Sequence, residues 1–246
     1  MTGRFLTCLA ILIVASLSCA ARSDARKAGT ITYQNLVPGG IAIGGVTSRV
    51  KGRTSEPGSR ETMAQMFEEA LLNSRADIPL MGADRVRSAV GADTYESILD
   101  QFDLKGDLSG STLDTLRAAL ADSVRYFVVA RIEKDYENRD TVERDTDYDM
   151  KLDKTFNTAT RTVVVGFMVY DLRDGKLAWK FRPIDSETEE AEAPKTSTIF
   201  KPNTVAGMLE TALSDDKGPD PGMPDAFRNL AGIFRTFEKA LPKRKK

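Results

Sequence analysis

Hydrophobic and polar positions along this chain follow two periods, and the changes between them predict an alternation of helices and strands. From Ser59 to Ser74, Met63, Met66, Phe67, Ala70 and Leu71 recur at helical spacing, with Glu61 placed in the first turn where it offsets the helix dipole. Two shorter helices are predicted over Asp84 to Val90, stopped by Gly91, and Asp93 to Phe102, with Asp93 as cap and Tyr95, Ile98, Leu99 and Phe102 on one stripe. Ser111 is read as the start of a further helix, with Asp114 as the acid of a capping box and Leu113, Leu116 and Leu120 facing inward. Asn203 to Leu213 and Asp225 to Leu241 carry the same helical period.

Strands are predicted at Ile31 to Leu36, Gly40 to Ser48, and briefly at Ile78 to Met81. The strongest are Val124 to Ile132 and Thr160 to Leu172. In the second, Val163, Val165, Phe167 and Val169 share one face while Val164, Met168 and Tyr170 share the other, so both faces must be covered. Asp174-Gly175 marks a tight hairpin that returns the chain as Lys176 to Phe181, bringing Trp179 near the core. Ser186 to Ala193 is highly charged without periodicity and reads as a solvated loop. The expected fold class is α/β, a mixed central sheet with helices on both faces and the C-terminal helix docked on the sheet. One domain is expected over residues 39–242, with a β-flap at 137–159 and a basic tail at 243–246.

The first 21 residues follow another logic. Arg4, an apolar run from Phe5 to Leu17, then Ser18, Cys19, Ala20 and Ala21 form an export signal, and the run is shorter than the ~20 residues a membrane-spanning helix needs. Two cleavages compete. Cutting before Cys19 would make residues 1–18 the signal peptide and Cys19 the lipidation site; residues 19–38 would then hold the lipidated tether and the first strand. Cutting after Ala20 would release a soluble periplasmic protein. Lipidation would attach the body to the periplasmic side of the outer membrane.

Composition narrows the chemistry. The 246 residues are 41% hydrophobic and 29% charged, with a formal net charge of −1, so no bulk positive field selects nucleic acid. The chain has no histidine, and its two cysteines are Cys8 and Cys19. A Ser-His-Asp or Cys-His nucleophile cannot be assembled, nor a zinc site of nitrogen and sulfur ligands. No catalytic residues, metal ligands or cofactor are assigned. Gly39-Gly40 and Gly44-Gly45 lack the GK[ST] of a phosphate-binding loop and read as close strand packing. Asp145-Thr146-Asp147-Tyr148-Asp149 resembles the start of a calcium loop, but Met150 and Phe156 replace its required Gly and Glu. Glu133, Asp135 and Glu137 would share one face of a continuing strand, the arrangement a carboxylate-dependent hydrolase needs; a solvated edge is the other reading.

The segments Val124-Arg125-Tyr126-Phe127-Val128-Val129-Ala130-Arg131-Ile132 and Val169-Tyr170-Asp171-Leu172-Arg173-Asp174-Gly175-Lys176-Leu177-Ala178-Trp179 resemble the paired strands of exported α/β proteins related to the curli-secretion channel lipoprotein. The lipoprotein activators of penicillin-binding proteins and the amino-terminal domain of TolB share that fold. The resemblance covers residues 39–181 and implies a non-catalytic recognition or scaffolding module for an envelope protein or cell-wall polymer, held at the membrane through a lipid anchor. A carboxylate-dependent envelope hydrolase and a ring-forming secretion component are the alternatives. Phe227, Leu230, Phe234 and Phe237, spaced like a coiled-coil seam, either dock on the sheet or offer a partner surface for a homo-oligomer.

Overall fold

A computed structural model describes residues 31–50, 53–56, 58–145, 153–192 and 220–244. Its frame is a six-stranded mixed sheet: β1 (Ile41–Ser48), β2 (Leu80–Met81), β3 (Tyr126–Asp145), β4 (Asp153–Asp171), β5 (Lys176–Phe181) and β6 (Ile184–Glu192). The order is β2-β1-β3-β4-β5. β1 is parallel to both β2 and β3, the remaining pairs are antiparallel, and β6 joins β4 further out on the side where β5 lies.

Helices cover both faces, as the two apolar faces of β4 require. One face packs under α1 (Tyr33–Gly39), α2 (Ser59–Ser74) and α6 (Ala226–Ala240). Phe67 of α2 and Phe237 of α6 meet Phe167 of β4 with ring centroids 5.4 and 4.5 Å apart, and Trp179 of β5 lies 5.4 Å from Phe237. The other face is covered by α3 (Ala83–Val90), α4 (Ala92–Lys105) and α5 (Gly110–Leu120), which bury Val86, Tyr95, Phe102 and Leu116 against Phe127 and Tyr170.

Several sequence expectations need correction. Ile31 to Leu36 is not a strand: Thr32 caps α1 by accepting the Asn35 N–H at 3.3 Å, and its carbonyl accepts from Leu36. Ser186 to Ala193 is not a loop, since β6 runs to Glu192 in register with β4 from Val164↔Ile184 to Phe156↔Glu192. Its polar character on both faces hides the alternation that betrays a half-buried strand. Asp93 lies in the first turn of α4 behind the cap Gly91, and α5 begins at Gly110 with Ser109 as cap, accepting the Thr112 N–H. The expected helix Asn203 to Leu213 lies outside the described residues, as do Cys19 and the centre of the calcium-like stretch.

Candidate functional site

Beyond Ile132, β3 loses its parallel neighbour β1, whose last partner pair is Ser48↔Ile132. The hairpin of β3 and β4 nevertheless continues in register to Asp145↔Asp153, with β6 alongside β4. Together the described parts of β3, β4 and β6 form a three-stranded blade growing out of the central sheet. The N-terminal part of α6 and residues 220–225 back one of its faces, through Arg228 to Glu189 at 2.9 Å and through contacts of Arg139 with Asp220 and of Arg161 with the Pro224 carbonyl.

A β-bulge stands where the blade begins. Ile132 pairs with Val165 and Lys134 with Val164, leaving Glu133 as the extra residue. One extra residue reverses the alternation of every side chain that follows. Glu133 falls on the α4 side of the sheet, against Gly166, where Arg182 donates to it at 2.5 Å and Arg131 lies 3.9 Å away. Asp135 and Glu137 fall on the α6 side, opposite Val163 and Arg161. The expectation that Glu133, Asp135 and Glu137 share one face is thus overturned, and the reason is the bulge.

On the α6 side Asp135 and Arg161 form a two-pronged pair, Nε to Oδ1 and Nη2 to Oδ2 both at 2.8 Å, with Glu137 3.5 Å from the same guanidinium. The Asp135 bond holds the Arg161 charge above its ordinary pKa. Arg161 also anchors α6: its carbonyl accepts from the buried Asn229 at 3.4 Å. On β6, Asp185 and Glu187 face this helix, and burial pushes both carboxyls above their usual range, with Arg235 and Arg228 respectively pulling back. None of these carboxylates has a free acid and base arranged across an open cleft.

A groove of about 550 Å³ lies between α2, α3 and α4, floored by Gly45, Val46 and Leu99. Its two arginines are engaged, Arg60 with Glu96 at 3.5 Å and Asp100 at 3.1 Å, and Arg87 with Glu96 at 3.5 Å. Tyr95 beneath them is pushed up to about 12 by burial, so it is a neutral phenol and not a base. Gly44 and Gly45 form a bulge in β1 facing this layer; a Cβ on Gly44 would lie 2.1 Å from the Phe127 ring, which is close packing and not a phosphate cradle.

The expected partner surface also needs correction. Leu230, Phe234 and Phe237 are 0% exposed, inside the core between α6 and the sheet, and Phe227 is partly buried against the same cluster. The seam spacing meets phenylalanines of the protein's own sheet, so it is not an open surface. Three large apolar side chains among the described residues are exposed: Leu72 on α2, at 52%, Tyr136 on the outer face of the blade, at 53%, and Leu104 on α4, at 78%. Sequence reasoning missed Arg161; a lone arginine entering an apolar strand beside three acids was the available signal.

No known protein family matches the chain, and no curated protein matches it. Solved structures do. A hypothetical protein CT253 from Chlamydia trachomatis is 14% identical, over 82% of this chain and 97% of that one, with a TM-score of 0.43. The lipoprotein GNA1162 from Neisseria meningitidis is 12% identical over 71% and 94%, with a score of 0.32. The PelC dodecamer from Paraburkholderia phytofirmans is 10% identical over 68% and 83%, with a score of 0.32. Scores below one half give no basis for assigning function.

Proposed function

We propose that this chain is an exported, non-catalytic recognition module of a bacterial cell envelope, anchored through Cys19 and contacting an envelope protein or wall polymer with its blade. The observation that carries the reading is the blade itself, three strands that run on past the end of β1, backed on one face by α6 and presenting on the other Tyr136, Asn138, Thr160 and Thr188. The bulge divides Glu133 from Asp135 and each is held by an arginine, which supports the non-catalytic reading over a hydrolase that would use those two carboxylates. A chain without histidine also lacks the commonest general base.

The test places a photo-crosslinking phenylalanine analogue at Tyr136, and at Leu104 as control, in cells producing the full chain. The expected result is a discrete adduct to an envelope protein or wall polymer from Tyr136 and none from Leu104. Absence of any such adduct, or turnover of wall polymer abolished by Glu133→Gln, overturns the reading. For the anchor, labelled palmitate should enter the chain and be lost in Cys19→Ser.

A further inference from the structure

The blade has two outer edges, and their charges differ in kind. On β6, any two-fold antiparallel pairing centred on Ser186, Thr188 or Ala191 sets carboxylate against carboxylate: Asp185 on Glu187, Glu187 on Glu189, or Glu190 on Glu192. Such an edge refuses its own copy. The β3 edge has mixed signs. Among the described residues no strand pairs with its outer side past Ile132, and residues 136–141 are exposed.

A two-fold antiparallel pair must set one residue opposite itself, because the axis passes through a residue pair. A charged centre opposes its own kind, which excludes Lys134, Asp135, Glu137, Arg139 and Asp140. Centring on Tyr136 sets Asp135 against Glu137, and centring on Thr141 sets Glu137 against Asp145. Centring on Asn138 sets Glu137 against Arg139 of the other copy twice over, with Tyr136 beside Asp140 and no like charges opposed over residues 134–142, the stretch that follows the bulge residue Glu133. Centring on Val142 is also charge-compatible, but β3 ends at Asp145, so only residues 139–145 would overlap, against 134–142 for Asn138.

We propose that two copies of this chain pair edge to edge through β3, antiparallel and centred on Asn138, joining two blades into one six-stranded sheet. Glu137 and Arg139 lie on the same face of the blade, and a two-fold axis normal to the sheet keeps them there, so the opposed side chains meet. Their side chains are 52% and 50% exposed, within reach of a neighbour. The pattern that rejects other registers selects this one.

The experiment uses the full chain with Cys8→Ser and Cys19→Ser, which removes both native thiols. Under mild oxidation Asn138→Cys should give a covalent dimer, while Tyr136→Cys and Val142→Cys should not, since only the central residue faces itself at bridging distance. In sedimentation of the chain without added cysteines, Glu137→Arg should weaken the dimer about tenfold, and Glu137→Arg with Arg139→Glu should restore it. A monomer at concentrations of about 100 μM, bridging at Val142 in place of Asn138, or a dimer indifferent to Glu137→Arg would each overturn the proposal.

Discussion

Asp135 and Arg161 meet diagonally across β3 and β4 just past the bulge, joined by two bonds of 2.8 Å, with 4% and 13% of their side chains exposed. The pair closes the gap between the apolar core ending at Val163 and the polar blade beyond it, and the Arg161 backbone carbonyl beside it accepts from Asn229 of α6.

Removing one partner strands a charge. Arg161→Leu is expected to cost about 3–5 kcal/mol in chemical denaturation, because the Asp135 carboxylate stays buried without its counter-ion. Asp135→Leu with Arg161→Leu should recover most of that loss, since two apolar groups leave no charge behind. A double variant as unstable as the single one would show that the pair contributes through shape and not charge.

Asp185 works in the opposite sense. Its folded pKa is raised by burial, so ionisation penalises the native state above that value, and the penalty disappears as pH falls toward the unfolded value near 3.8. Asp185→Asn should therefore raise Tm at pH 7 and change it little below about pH 3.5. Thermal scans across pH 3 to 8 read both effects.

Phe237 tests where the C-terminal seam belongs. It touches Phe67, Phe167 and Trp179, and it is 0% exposed. Phe237→Ala should destabilise the fold by about 3–5 kcal/mol, with no dissociation step separate from unfolding. A variant of normal Tm that changes only its association state would return the seam to an interface.

Gly44 is fixed by a neighbour. Its missing Cβ leaves room for the buried Phe127 ring, so Gly44→Ala should cost about 1–3 kcal/mol by overpacking. Phe127→Leu in the same chain should recover part of the loss, measured by urea denaturation.

Much of this architecture was legible in the sequence because the core obeys its periods. The apolar stripes of α2 and α6 and the doubly apolar run of β4 led to the mixed sheet with helices on both faces. What escaped notice was polar. β6 carries Asp185, Glu187 and Glu189 on one face and Ser186 and Thr188 on the other, and it is a strand because β4 offers a ladder and Arg228 a counter-charge. The bulge at Glu133 leaves no mark in residue type, yet it decides which carboxylates meet. The site was thus less readable than the scaffold, since registers are set by tertiary pairing and not by composition.

β4 runs without interruption from Asp153 to Asp171, about 60 Å of extended chain that begins near the blade tip and ends beside Arg125 in the core. A force applied at Asp153 would therefore act on a lever rooted in the hydrophobic centre. Tension along it would load the ladder in shear down to the buried phenylalanines, so a pull at the far end would be resisted by the whole body and not by a hinge.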